Sequence, residues 1–188
     1  MKLAIHKRTT GKKGEINQLR RTGNVPAVLY GQREAGMPIF IKGEEIQAIL
    51  RNIQPGLLAT TVFEVEVEGK KRKALVKDMQ YHVTSYDLLH LDLVLLDDQM
   101  PITVNVPIRL VGAAECAGVK LGGFVRQPIR SMAVSCLPKD IPQEFVVDVK
   151  ELNIGQSKRL SEISLPQGVR PLAKLDEVAV IVGKKAGT

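Results

Sequence analysis

The sequence predicts a mainly β protein with short helices, divided into two β-rich domains. Three observations carry this reading. Apolar residues make up 44% of the 188 residues while aromatics make up only 4% and Trp is absent, so Val, Leu and Ile must fill the interior, and β-branched clusters favour strands. Apolar and polar residues alternate over short stretches bounded by Gly and Pro, the pattern of half-buried strands. A short polar stretch, Asp97-Asp98-Gln99, followed by Pro101, separates residues 1–97 from 98–188, two lengths near the lower end of ordinary domains.

The elements of the first domain follow in order. Met1 to Lys7 alternates, with Leu3 and Ile5 on one face and Lys2, Ala4 and His6 on the other. A basic polar loop follows over residues 9–14. Glu15 to Thr22 suits a short helix ended by Gly23, which takes the left-handed conformation after a helix at little cost. Leu19 should point to the core, and one of Arg20 and Arg21 should face solvent or phosphate. Pro26 stops any helix, and Val28 to Tyr30 forms a short strand closed by Gly31. Pro38 to Ile41 is another strand. Gly43 to Asn52 is a helix, with Ile46, Ile49 and Leu50 at helical spacing and Glu44 and Glu45 in the first turn, where the helix dipole favours acids. Pro55-Gly56 ends it. Thr60 to Val67 alternates strongly, Glu68-Gly69-Lys70 turns, and Arg72 to Met79 returns as the second arm of a hairpin. Leu88 to Leu96 is the last strand of this half.

The second domain restarts with Ile102 to Leu110 and a Gly-rich loop, Gly112 to Gly123. Ser131 to Leu137 and Phe145 to Val149 are strands, separated by turns at Pro138 and Pro142. Ser157 to Ile163 is a strand or a single helical turn, and Val178 to Val182 closes the domain. Closely spaced strands with Pro and Gly turns make this half all-β.

Charge is distributed unevenly. Residues 1–33 contain Lys2, Lys7, Arg8, Lys12, Lys13, Arg20, Arg21 and Arg33 against the single acid Glu15, so they hold the whole formal charge of +7. The remaining residues balance at 19 basic and 19 acidic. A localised excess of this kind is either a solvated face or the footprint of a polyanion. Catalytic signals are missing from the sequence. Gly11-Lys12-Lys13-Gly14 lacks the spacing and the hydroxyl of a phosphate loop, Gly118 to Gly123 lacks dinucleotide spacing, and no Gly-x-Ser-x-Gly occurs. The three histidines, His6, His82 and His90, and the two cysteines, Cys116 and Cys136, have no metal-ligand spacing. The cysteines read as buried free thiols in a reducing compartment. No apolar h-region opens the chain, and no apolar run reaches membrane-spanning length.

His90 and Asp92 are two apart in a strand and so share a face, opposite the face that Leu89, Leu91 and Leu93 should line. The pair either ties strands together internally or presents polar groups to base edges in the shallow minor groove of RNA. Tyr30 is open to the same two readings, an edge-of-core Tyr or a ring and hydroxyl offered to nucleic acid.

Gln18 to Gly31 closely resembles the signature Leu-Arg-x-x-Gly-x-x-Pro-Ala-x-x-Tyr-Gly of the bacterial ribosomal protein L-twenty-five family. Val76-Lys77-Asp78-Met79-Gln80, His82 and Leu89-His90-Leu91-Asp92 resemble a second family stretch. The second half is similar to the extra domain of the family's long form, general stress protein CTC, through Val106 to Gly112, Gly118 to Gly123, Pro138 to Pro142 and Leu152 to Gly155. The resemblance implies an N-terminal small β-barrel that binds 5S ribosomal RNA at its internal loop E through the minor groove, followed by a β-rich domain. It places RNA contacts at Arg8, Arg21, Tyr30, His90 and Asp92, joined by Arg20, Lys77, Gln80 and His82; the basic segment itself adds Lys12 and Lys13 as residues that would neutralise phosphates. It implies a monomer on the cytoplasmic ribosome beside neighbouring large-subunit proteins, with no membrane, cofactor, metal or catalysis. The chain departs from the family's usual residues at Asn17, Tyr81 and Val83. The alternative is a stress-related interaction module whose basic segment meets an acidic protein.

Overall fold

A computed structural model describes residues 1–8, 13–31, 35–54, 56–67 and 69–184, with only the backbone of Lys13. Lys12 and the rest of the expected basic loop at 9–12, Arg33, Pro55, the turn residue Glu68 and the tail 185–188 lie outside the described residues. The chain divides into two units, Met1–Met100 and Pro101–Thr188.

The first unit holds β1 (Lys2–Leu3), β2 (His6–Lys7), α1 (Lys13–Arg21), β3 (Asn24–Tyr30), β4 (Met37–Lys42), α2 (Gly43–Asn52), a 3-10 turn (Leu57–Thr60), β5 (Val62–Val67), β6 (Lys70–Tyr81) and β7 (Leu88–Leu95). Its strands make one sheet in the order β1-β5-β6-β7-β3-β4-β2. β1 and β2 sit at opposite ends of that order, yet only Ala4 and Ile5 separate them. Leu3 pairs with Val65 of β5 in parallel, and His6 pairs with Phe40 of β4 antiparallel. One N-terminal segment thus holds both edges, and the sheet curls on itself into a small barrel.

Alternation decides what fills that barrel. Val25, Ala27 and Leu29 from β3, Ile39 and Ile41 from β4, Phe63 and Val65 from β5, and Leu91 and Leu93 from β7 face inward as one cluster. Each fully buried aliphatic side chain contributes about 1.5–3 kcal/mol. α2 adds Ile46, which is fully buried, with Ile49 and Leu50 half-buried beside it.

Several local features differ from the sequence expectation, the first being that Met1 to Lys7 is not one strand but two, β1 and β2, on different partners. β3 runs through Pro26 rather than starting after it. This is tolerated because pairing with β7 is first found at Ala27, leaving Pro26 laddered with β4 alone, where a missing N–H on the other side costs nothing. In β7 it is Leu88, not Leu89, that packs on the core: a register shift between Gln80 and Tyr81 of β6 sets Tyr81 opposite Leu88 and leaves Leu89 outside the pairing. Such a bulge interrupts the strict alternation on which the expectation rested. Leu19 of α1 does not enter the barrel core either; it is half-buried and lines a groove with Phe40 and Arg8 on the outside.

The second unit contains β8 (Ile102–Val111), α3 (Ala117–Lys120), β9 (Gly123–Arg126), β10 (Ser131–Cys136), β11 (Phe145–Asp148), β12 (Ser157–Arg159), β13 (Arg170–Pro171) and β14 (Val178–Lys184), with single 3-10 turns at Ala113–Glu115 and Leu160–Glu162. They form a four-stranded sheet, β11-β8-β10-β13, and a three-stranded one, β12-β14-β9. The Gly112 to Gly123 stretch is therefore more than a loop: it holds α3 and the start of β9. Gly123 needs its missing side chain there, since a Cβ would lie 2.7 Å from the Gly118 carbonyl oxygen. Cys116 and Cys136 are buried free thiols, and burial followed by the nearby Asp140 pushes the Cys136 thiol up.

The start of α2 depends on a close backbone approach. The Gly43 N–H donates to the Gly23 carbonyl at 2.9 Å, and a Cβ on Gly43 would lie 2.2 Å from that same oxygen. Gly43→Ala is expected to destabilise the barrel unit by about 1–3 kcal/mol through overpacking, read by urea unfolding followed by circular dichroism. A Cβ added to Gly14 of α1 would meet nothing within 4 Å, so Gly14→Ala should be neutral or stabilising by about 0.5–1 kcal/mol. Equal effects of the two substitutions would refute the packing argument.

Candidate nucleic-acid interface

The inward residues of β3, β6 and β7 are fixed by the core, so their neighbours along each strand must face out. Tyr30 shares the outward face of β3 with Val28. On β7 that face carries His90 and Asp92. Register brings them together: Val28 lies opposite Asp92 and Tyr30 opposite Val94, while Asp78 and Gln80 of β6 lie opposite Asp92 and His90. Four of the expected contact residues, Tyr30, Gln80, His90 and Asp92, thus occupy one patch. Asp78 joins them and was missed by sequence reasoning, although it is two residues from Gln80 and therefore on its face.

The patch is polar and ordered. His90 donates its Nδ1–H to Asp92 Oδ1 at 2.7 Å, with the two side chains 21% and 33% exposed. This bond leaves Nε2 as the ring atom available to a partner and fixes the orientation of the carboxylate. Both residues are on one strand, so the bond presents the pair rather than bracing two strands against each other. Burial raises the Tyr30 phenol, and the carboxylates of Asp92 and then Asp78 raise it further. At neutral pH Tyr30 is therefore a hydroxyl donor. Together these groups offer carboxylate acceptors for amino and 2′-hydroxyl protons, a phenol donor, an imidazole and an amide.

Cations border the patch. Arg8 follows β2, and its Nε donates to the Ile39 carbonyl at 3.1 Å, which ties the half-buried side chain to β4. Arg20 donates from Nε and Nη2 to the carbonyl of Leu89 at 3.3 and 3.1 Å, the residue that the register shift leaves without a partner on β6. The last turn of α1 is thereby latched across β3 onto β7. Arg21, next along the helix, is exposed, as Arg20 is; the difference is that Arg20 is held by the Leu89 carbonyl. Lys13 opens α1, but its side chain, like Lys12, is outside the described residues. Lys77 is exposed at a second β6 irregularity, between Val76 and Asp78. It is three residues from Gln80, a spacing that cannot share a face in a regular strand. His82 is beyond the end of β6, where its Nδ1 accepts the Ser85 N–H at 3.3 Å, so part of its capacity is spent on the turn. His6 stacks on Phe40 with ring centroids 5.0 Å apart, extending the outer surface towards Arg8.

Among the described residues no group of three or more His, Cys, Asp or Glu side chains could hold a metal ion, and no helix is long and apolar enough to cross a membrane.

Comparison with known proteins matches residues 3–93 to the Ribosomal L25p family and residues 101–186 to the family described as ribosomal protein TL5, C-terminal domain. The chain is 44% identical over 185 residues to the large ribosomal subunit protein bL25 of Chlamydia trachomatis serovar L2 (strain ATCC VR-902B / DSM 19102 / 434/Bu), covering 98% of this chain and 100% of the relative. The proteins of the same description from Chlamydia muridarum (strain MoPn / Nigg) and Chlamydia pneumoniae are 43% and 40% identical over the same share of each chain.

The environment of Tyr30 makes a pH prediction. Its folded pKa is above the ordinary 10.0, so the stability it contributes is intact below pH 10 and is lost as pH rises through the folded value. Asp92→Asn should lower the Tyr30 pKa without restoring the ordinary value, because burial is the larger cause. Tyrosinate absorbance, taken as the difference between each protein and its Tyr30→Phe counterpart, measures this. An unchanged midpoint in Asp92→Asn would show that the carboxylate does not act on the phenol.

Proposed function

Because this chain belongs to the ribosomal L25p family, we propose that its barrel unit binds 5S ribosomal RNA, reading the minor groove of internal loop E with the outward patch of β3, β6 and β7. As a family member the chain is a structural component of the large ribosomal subunit and not an enzyme. Its place is on the cytoplasmic ribosome.

The observation that carries the finer reading is the grouping of Tyr30, His90, Asp92 and Gln80 on one outward face. RNA exposes its base edges and 2′-hydroxyls in a wide, shallow minor groove, and a gently curved strand surface with short polar groups fits such a groove better than it fits a deep one. Charge supports the same division. Arg8, Arg20, Arg21, Lys12 and Lys13 come from the basic segment 1–33 and supply phosphate contacts around a patch that is itself neutral to acidic. Lys77 and His82 add polar reach at its margin. The second unit supplies none of these residues.

His90→Ala combined with Asp92→Ala should leave the fold intact and abolish discrimination between 5S RNA with an intact loop E and RNA with that loop replaced by paired duplex. Filter-binding titration reads this, and wild-type discrimination by the folded double variant would sink the site. Arg21→Ala should weaken binding to both RNAs alike and flatten the log affinity against log salt by about 0.9 or less. A loss confined to the intact loop would instead make Arg21 a base-reading residue.

A further inference from the structure

The connection between β6 and β7 ends the strand pair that carries Gln80 and His90, and its composition is unlike an ordinary turn. Val83 is 88% exposed, Tyr86 78% and Tyr81 42%. The chain has three tyrosines and no Trp; two of the three stand at this tip and the third, Tyr30, is in the patch above. The tip is also tightly built. The His82 N–H donates to the Asp87 carbonyl at 2.8 Å and the Tyr86 N–H to the His82 carbonyl at 3.0 Å. The Ser85 hydroxyl donates to Asp87 Oδ2 at 2.6 Å, and the Tyr81 hydroxyl is 3.4 Å from the Met79 sulfur. Tyr86 has φ of 58°, and among the described residues it is the one non-glycine residue with positive φ. A bulky side chain in the left-handed region is strained where Gly or Asn would not be. The turn alone therefore does not account for a tyrosine at this position, whereas a ring held out on a fixed backbone does.

We propose that Tyr86, at the tip that Tyr81 leads into, is a stacking platform for an unpaired base of the RNA that the outer face binds. The inference rests on the RNA reading given above and adds a second mode of contact to it. Three features favour a base over an apolar protein surface. The tip continues the same β6–β7 pair as Gln80 and His90. A cleft beside it is lined by Arg20 together with His82, Ser85 and Asp87, which puts the positive charge of Arg20, held in place by its two bonds to the Leu89 carbonyl, near the platform. The net charge of +7, concentrated in segment 1–33, draws a polyanion to this unit. Tyrosine rings stack on any base because every base has a π-face, so this contact adds affinity without reading sequence.

The strained backbone supplies a clean test. Tyr86→Gly removes the ring and relieves the left-handed strain, so the variant should melt at the same temperature as wild type or higher. It should nevertheless bind 5S ribosomal RNA roughly ten-fold more weakly, with smaller tyrosine-fluorescence quenching at saturation. Tyr86→Asn, which tolerates the same backbone, should behave alike, and Tyr86→Phe should keep the affinity. On a fully paired duplex all four proteins should bind equally. Wild-type affinity and quenching in both Tyr86→Gly and Tyr86→Asn would overturn the stacking platform while leaving the barrel-face reading standing. Failure of the wild-type protein to bind 5S RNA would instead overturn the function proposed above, and the platform with it.

Discussion

The short strands β1 and β2 hold opposite edges of one sheet, and the first unit depends on that double hold. A sheet edge is a row of unpaired N–H and C=O groups, and both β4 and β5 would present one if residues 1–7 were elsewhere. With the segment in place, Leu3 enters the barrel core beside Val65 and Ile5 packs on it, while His6 is laid over Phe40. Closure also fixes curvature. The outward patch of Tyr30, His90, Asp92, Asp78 and Gln80 is convex because the sheet behind it is closed.

Much of this was legible in the sequence, for identifiable reasons. α2 occupies the span expected from its apolar spacing, because Ile46, Ile49 and Leu50 repeat at a helical period. β5 follows its alternation, and β6 is the returning arm of the expected hairpin. What escaped was decided by tertiary pairing. Nothing near Pro26 says that β7 leaves its N-terminal side open, and nothing near Leu89 says that β6 slips by one residue opposite it. The closure of the barrel is equally non-local, since it needs residues 2–3 to meet 64–65. In the candidate site, the shared face of His90 and Asp92 followed from a spacing of two. Their bond to each other required the structure, and their gathering with Tyr30, Asp78 and Gln80 required the register.

The patch and its border do different physical jobs. Arginines contribute attraction that salt screens, and they come from segment 1–33, where the sequence concentrates its charge. The patch is made of residues whose value lies in orientation: a phenol kept protonated by burial and two carboxylates, an imidazole held by its own strand neighbour. Arg20 belongs to both groups. Its guanidinium is spent largely on the Leu89 carbonyl, so its first effect is to seat α1 and thereby to position Arg21.

The parallel pairs β1–β5 and β3–β7 have a consequence in time as well as in space. Both join segments that are about 60 residues apart, and loop-closure entropy must be met before such contacts return any stabilisation. The barrel is therefore a slow-folding topology: the segment made first is among the last to settle. Until residues 62–67 exist, its partner edge does not, and the nascent unit passes through a stage with open strands. A protein destined for a crowded assembly has reason to shorten that stage, and a polyanion that gathers its basic N-terminal segment would favour the closed form by mass action.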